Sequence, residues 1–224
     1  MASLGEKGPF KVADVGCGAG AQAMLWARDG HAVVALDVNQ PLVELGRQRA
    51  LKENIVVDFR VGTATDLPWP DASVDICLVP ELLEHVSDWQ TCLDEFARVV
   101  RPGGLLYLST TNKLCPKQQE FDLPLYSWYP AALKRRYERL SVTTRPELVN
   151  HAKYPAVNWF TPYSLRTELS QLGFTRMLDR FDCLVLDNVS LKKNSVTKAM
   201  NIIPLFRWLG HLCTPSTILF AVKQ

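Results

Sequence analysis

The stretch Pro80-Glu81-Leu82-Leu83-Glu84-His85-Val86 sets two carboxylates and an imidazole at positions i, i+3 and i+4. In a helical turn such positions share one face. A histidine there can accept a proton from a nucleophile such as a phenol, whose pKa of about 10 calls for a base or a charged stabiliser at neutral pH. His85 is therefore the first candidate for a general base and Glu81 the second. The competing account is that Glu81 and Glu84 cap and solvate the turn while His85 makes a structural hydrogen bond; Glu84 reads as structural in either case. The trio could also hold a divalent cation that acidifies a catechol, but no further ligand accompanies it, so no metal is expected.

A second constellation precedes it. Val12-Ala13-Asp14-Val15 is an apolar run broken by Gly16, Gly18 and Gly20 at alternate positions, after which helix-forming residues resume. Glycines there permit a tight turn and close approach of backbone to a ligand, and the following helix offers free N–H groups and the positive end of its dipole. The diphosphate-binding fingerprint wants its third glycine one position later, where Ala21 stands. Asp14 sits two residues ahead of the first glycine, where its charge repels a diphosphate and suits an ammonium group. A zwitterionic amino acid fits both ends of the turn. Asp37 follows about 20 residues after the first glycine, the place from which a carboxylate accepts both hydroxyls of a ribose.

The elements that must position these groups alternate through the first half of the chain. Strands are expected at 11–16, 31–38, 54–62, 74–80 and 104–112, and helices at about 19–29, 40–53 and 87–101, the last stopped by Arg101-Pro102-Gly103-Gly104. This is the pattern of a doubly wound parallel sheet in an α/β domain. After residue 112 the rhythm fails for about 45 residues rich in Pro, Tyr, Trp and basic side chains. It resumes with a helix at 161–174 and two strands, 176–187 and 216–224, separated by a mostly apolar excursion. The reading is one domain over 1–224, with an insertion over 113–160 as a substrate-side cap and an apolar insertion over 190–214 between the last two strands.

Taken in order, D-V-G-C-G-A-G, A-L-D-V-N, G-T-A-T-D-L-P-W, D-I-C-L-V-P-E-L-L-E-H-V and R-P-G-G resemble the class I S-adenosylmethionine-dependent methyltransferases over about residues 10–112. The E-x-x-E-H-V pattern and the strand end Ser109-Thr110-Thr111-Asn112 are similar to the methyltransferases of ubiquinone biosynthesis. The resemblance implies a Rossmann-like seven-stranded, mainly parallel sheet in the order 3-2-1-4-5-7-6, with strand 7 antiparallel. It implies S-adenosyl-L-methionine as cofactor and S-adenosyl-L-homocysteine as product. By the same resemblance the binders are Asp14, Gly16, Cys17, Gly18, Gly20, Asp37, Val38, Thr63 and Ala64, with Val79 and Pro80 lining the methyl side. Many relatives carry Asp at the Thr63 position to meet the adenine amino group; here the Thr63 hydroxyl or Asp66 must serve. Most relatives also have helices ahead of the first strand, so either the sequence is trimmed at that end or the insertion supplies the lid.

The implied activity is methyl transfer to a small-molecule acceptor, above all an oxygen of a phenolic or hydrophobic substrate. N- or C-methylation, a nicotinamide-dependent reductase and a non-catalytic S-adenosylmethionine-binding module are the alternatives. A net charge of +2 advertises no nucleic-acid surface. Six dispersed cysteines without a CxxC pair read as reduced thiols, and no apolar run reaches signal-peptide or membrane-span length, which places the protein in the cytoplasm. The excursion containing Lys198, Ile202, Ile203, Leu205, Phe206, Arg207, Trp208 and Leu209 could pack over the sheet, rest on a membrane surface or clasp a greasy substrate. His31 and His211 read as structural, and His151 as a weaker candidate for acceptor contact. Lys134-Arg135-Arg136 with Arg139 read as a solvated helix face. Tyr126, Trp128, Tyr129, Trp159 and Phe160 could wall a flat acceptor or form the insertion's own core.

Overall fold

In the computed structural model, residues 8–150, 152, 154–186 and 203–224 are described. The central strand β1 (Lys11–Val15) is buried on both faces, so that Val12, Ala13, Asp14 and Val15 have no exposed surface. It pairs in parallel with β2 (Ala32–Asp37) on one side and β4 (Val74–Pro80) on the other, the arrangement that near-continuous apolar strands require. β3 (Asp58–Val61) extends β2, and β5 (Val100–Thr111) extends β4. β7 (Ser216–Lys223) runs antiparallel to both β5 and β6 (Phe174–Asp179), which gives the seven-stranded order β3-β2-β1-β4-β5-β7-β6. The order reverses between β1 and β4, so the crevice at their carboxyl ends is where a ligand belongs.

Helices α1 (Ala21–Arg28) and α2 (Gln40–Lys52) cover one face over Val12, Val33, Ala35, Val43 and Ile76. Helices α3 (Trp89–Val99) and α5 (Pro162–Gln171) cover the other, over Ala13, Val15, Cys77, Val79, Phe96 and Leu106. Three of these starts are fixed by a side chain: Asn39 caps α2, Asp88 caps α3, and Thr161 with Ser164 forms a reciprocal capping box on α5. Between β5 and α5 lie two 3₁₀ turns and α4 (Ala131–Thr143), gathered on a separate small core of Phe121, Tyr126 and Val149. Phe121 and Tyr126 stack at 4.1 Å between ring centroids.

The sheet and its crossover helices agree with the sequence expectation, with four differences. β3 starts at Asp58 rather than 54, because Ile55 first closes α2 by donating its N–H to the Ala50 carbonyl. α3 ends at Val99, and Arg101-Pro102-Gly103-Gly104 belongs to β5; a Cβ on Gly104 would lie 2.9 Å from the Asp75 carbonyl oxygen, a contact only glycine avoids. Residues 176–187 do not form one strand: β6 stops at Asp179 and α6 (Arg180–Leu186) follows. Asp179 receives the N–H groups of Phe181 and Asp182, which turns the chain into the helix. Of the apolar excursion, 190–202 and its Lys198 and Ile202 lie outside the described residues, and the remainder is α7 (Pro204–Leu212).

Gly20 and Gly46 grip the Phe59 ring from two sides: a Cβ would lie 2.4 Å from Phe59 at Gly20 and 2.8 Å at Gly46. Gly20 also has φ +75°, in the left-handed region. Gly20→Ala should therefore cost about 2–4 kcal/mol in urea unfolding. Gly18 (φ +52°) faces open space, and Gly18→Ala should cost only about 1 kcal/mol. Equal midpoints for the two variants would contradict this packing.

Candidate active site

The glycine turn is tied to the end of β2. Gly16 and Cys17 both donate their N–H to the Leu36 carbonyl, at 2.8 and 3.1 Å. Asp37 accepts the Gly18 N–H at 2.8 Å on one oxygen and the Asn39 N–H at 2.7 Å on the other. The turn is thus preorganised with Gly18 bordering open space and the Asp37 carboxylate beside it. Val38, next in the chain, is 58 % exposed and offers an apolar surface at the same crevice.

Asp14 lies beneath the turn, fully buried, and neither carboxylate oxygen has a partner of normal hydrogen-bond geometry. Burial pushes its pKa up to about 7, opposed by the Ala23 backbone amide and reinforced by the Asp37 charge. Burial, with the charges of Asp14 and Asp37, also pushes the Cys17 thiol up to about 12, so this cysteine is a neutral wall rather than a nucleophile. A buried acid with two orphaned oxygens is complementary to an ammonium group. An open glycine turn and an acid at the end of β2 complement the rest of an S-adenosylmethionine, so these residues fit that cofactor.

The ionised form of Asp14 is disfavoured in the folded chain by about 4 kcal/mol relative to an exposed carboxylate. The folded state therefore holds the proton more tightly than the unfolded state. The stability contributed by this carboxyl is fully present below pH of about 4 and is lost as pH rises toward 7. A bound ammonium reverses the preference. S-adenosylmethionine affinity should rise about tenfold between pH 5.5 and 7, with proton release in calorimetry; Asp14→Asn should remove the dependence. Affinity that is flat across that range would exclude an Asp14–ammonium contact.

At β3, the Thr63 and Thr65 hydroxyls bond each other at 2.8 Å, Asp66 is exposed with its N–H on the Thr63 carbonyl, and Ala64 is buried. This loop stands beyond Asp37 on the same side of the sheet, since Gly62 donates its N–H to the Asp37 carbonyl. Val79 is buried in the core and Pro80 half-buried at the tip of β4.

The segment after β4 is a turn rather than a helix, entered by Glu81 at φ +47° and closed by the His85 N–H on the Leu82 carbonyl. The three candidate groups consequently do not share one face. Glu81 accepts the Ser109 hydroxyl at 2.6 Å, and the fully buried Glu84 accepts the Thr110 hydroxyl at 2.7 Å. Burial, moderated by Thr110 and reinforced by the neighbouring Glu81, pushes Glu84 up to about 8. Glu84 is thus a structural anchor. Asn158 holds the turn from the far side, donating to the Leu83 and Val86 carbonyls.

Glu81 is exposed, but of the three only His85 lines a cleft of about 820 Å³, which it shares with Tyr154, Pro155, Val157 and one face of α4. Its Nδ1 is buried without a partner. The turn packs directly on the glycine loop: a Cβ on Gly16 would lie 3.1 Å from Leu82. One strand end thus borders both crevice and cleft.

Glu120 escaped the sequence reading. It is half-buried between β5 and α4. Burial raises its pKa, while the His85 charge draws it down and that of Glu81 pushes it up, so its carboxyl is within electrostatic range of the imidazole. Nothing in a segment without periodicity marks it. Ser109 and Thr110 were legible as a strand-end motif, yet their partners Glu81 and Glu84 were not.

The remaining candidates have structural places. His31 Nδ1 accepts the Phe10 N–H at 3.2 Å between the Phe10 and Trp26 rings. His211 is buried, with Nε2 3.3 Å from Asp179. His151 lies outside the described residues. Tyr126, Tyr129 and Trp159 belong to the small core, Phe160 packs edge-on against Trp89, and Trp128 is 54 % exposed. The basic run is not a uniform solvated face. Lys134 is buried with its Nζ on the Ser127 carbonyl and 4.3 Å from the Trp159 ring, while Arg135 and Arg139 line the cleft. Among the described residues no group of three or more metal-ligating side chains is assembled, and no helix is long and apolar enough to cross a membrane.

Residues 13–108 match the family described as a methyltransferase domain. The ubiquinone biosynthesis O-methyltransferase of Mesorhizobium japonicum is 34 % identical over 104 residues, 46 % of this chain and 42 % of that protein. The malonyl-[acyl-carrier protein] O-methyltransferase of Yersinia pestis is 38 % identical over 101 residues, 45 % of this chain and 36 % of its own length. The chain thus matches less than half the length of these curated relatives. The YcgJ protein of Bacillus subtilis superposes over 100 % of this chain and 98 % of its own with a TM-score of 0.60 at 19 % identity, a likeness of fold. The ordered motifs, the strand order and the family match agree: residues 13–108 carry a match to a methyltransferase domain and are similar to the O-methyltransferases of ubiquinone biosynthesis, on the sheet order of the class I S-adenosylmethionine-dependent methyltransferases.

Proposed function

We propose that the protein binds S-adenosylmethionine in the crevice between β1 and β4 and methylates a hydroxyl oxygen of a small molecule seated in the His85 cleft. The observation that carries this reading is the packing of the Glu81–Val86 turn on the glycine loop, which sets a histidine of the cleft beside the cofactor crevice.

In the bound state Asp14 faces the ammonium group, Gly16, Cys17, Gly18 and Gly20 form the wall along the amino-acid tail, and Asp37 accepts the ribose hydroxyls. Val38, Thr63, Ala64 and Asp66 flank the base, and Val79 and Pro80 line the methyl side. The cofactor supplies a methyl group on a sulfonium, whose carbon–sulfur bond breaks with its electron pair moving to sulfur as the acceptor oxygen bonds to carbon. His85 takes the hydroxyl proton, and Glu120 stabilises the imidazolium that results. Glu81, the second candidate base, is bound to Ser109 and assists through charge. The 113–160 segment acts as a substrate-side cap that excludes water, within a single domain that also carries the 190–214 segment.

A proton-accepting histidine favours oxygen over carbon as the methylated atom, and the two curated relatives are named as O-methyltransferases. Asp14 beneath the glycine turn, and Ala21 where a diphosphate site needs its third glycine, disfavour a nicotinamide dinucleotide. Exposed Leu205, Phe206 and Trp208 on α7 support contact of a cytoplasmic protein with a membrane surface or a lipid-like acceptor. Incubation with isotopically labelled S-adenosylmethionine and a host metabolite extract, read by mass spectrometry, should yield a product with one added O-methyl group. Tight cofactor binding with no labelled product would leave a binding module in place of an enzyme.

A further inference from the structure

Arg135 and Arg139, one turn apart on α4, both face the cleft that His85 enters. Neither forms an ion pair among the described residues, and the one side-chain hydrogen bond seen there for either guanidinium runs from Arg139 Nε to the Arg135 carbonyl at 3.4 Å. Glu138 lines the same wall; burial raises its pKa, with Lys134 and Arg135 opposing. Two guanidiniums against one reluctant carboxyl leave this wall positively charged at neutral pH. Toward His85 the sign reverses, because Glu120 is within electrostatic range of both the imidazole and Glu81, whereas Glu84 is turned inward and kept protonated by burial. The cleft lining also includes the apolar Ala132, Val142, Pro155 and Val157. The volume of about 820 Å³ is that of a small-molecule site.

We propose that Arg135 and Arg139 form an anion subsite, so that the methyl acceptor is a molecule with an apolar body, a carboxylate or phosphate at one end and its nucleophilic hydroxyl at the other. This inference rests on the methyltransferase reading for the reaction, but the anion subsite stands on the cleft alone. The charge gradient sets the orientation. An anionic end is repelled by Glu81 and Glu120 and held by the planar guanidinium forks, which donate to two oxygens at a time. The uncharged hydroxyl is then the group presented to His85. Lysine at these positions keeps the charge but loses the fork.

The test uses the full chain loaded with S-adenosylhomocysteine and titrated by NMR with 4-hydroxyphenylacetate, phenyl phosphate and the neutral 4-hydroxyphenylacetamide. The carboxylate or the phosphate should bind at least tenfold more tightly than the amide, and the tighter of the two identifies the anionic group. Arg135→Gln with Arg139→Gln should abolish that preference while S-adenosylmethionine affinity and melting temperature stay unchanged, since both side chains are exposed. In the labelling experiment the methylated product should arise from the fraction of extract retained on an anion exchanger, and the double variant should raise the acceptor KM at least tenfold with kcat nearly constant. Equal binding of amide and anions, no binding of either anion at millimolar concentration, or an acceptor found in the unretained fraction would each overturn the proposal. Loss of cofactor binding in the wild-type chain would instead sink the methyltransferase reading and leave the anion titration to decide on its own.

Discussion

With acceptor and cofactor saturating, His85→Ala should lower kcat about a hundredfold or more, while the Kd for S-adenosylmethionine stays within twofold. The size follows from the lack of a substitute. Glu81 is held by Ser109, and Glu84 is buried on Thr110 with its pKa raised to about 8 by burial, so neither can swing into the cleft. Glu120 is half-buried and within electrostatic range of the imidazole, but it does not line the cleft. The acidic limb of the pH–rate profile should disappear with the imidazole. Glu120→Gln should lower kcat far less than His85→Ala, because the amide removes only a charge within electrostatic range of the imidazole and leaves the imidazole in place. Unaltered turnover in His85→Ala would reduce the residue to a packing role.

Asp37→Ala should weaken S-adenosylmethionine binding about a hundredfold. Both carboxylate oxygens already hold backbone N–H groups, those of Gly18 and Asn39, so the side chain organises the loop as well as offering acceptors to a ribose. Its removal takes away charge-assisted hydrogen bonds worth about 1.5–3 kcal/mol each. Asp37→Asn keeps one acceptor oxygen and should fall between the two. Calorimetry giving an unchanged affinity for the alanine variant would remove Asp37 from the ribose site.

These residues were readable in the sequence to unequal degrees. The glycine turn and Asp37 belong to a short local unit, β1–turn–α1–β2, in which spacing alone brings the groups together. Asp14 was placed correctly for the same reason, although the orphaned state of its carboxylate depends on burial by strands far away in the chain. The Glu81–His85 segment misled because spacing of i, i+3 and i+4 predicts a shared face only if the backbone is helical. The positive φ at Glu81 and the clasp of Asn158, 77 residues later, make it a turn that sends Glu84 inward and His85 outward. The strand at 176–187 failed because the apolar run was read by composition, whereas Asp179 carries the signal that turns β6 into α6. α7 is anchored to that same point, with Arg207 and His211 both on Asp179. The cleft was the least legible part: the Lys134–Arg139 run looks uniformly solvated in one dimension, and only the small core around Tyr126 decides that Lys134 turns in while Arg135 and Arg139 face the acceptor side.

The central claim is that the crevice at the ends of β1, β2 and β4 takes an amino-acid tail joined to a nucleoside. Parallel calorimetric titrations of the intact chain at pH 7.5 with S-adenosylhomocysteine and with NADH test it most directly. Saturable one-to-one binding of S-adenosylhomocysteine, with no heat from NADH at the same concentrations, is the expected result; NADH binding tightly while S-adenosylhomocysteine does not would contradict it.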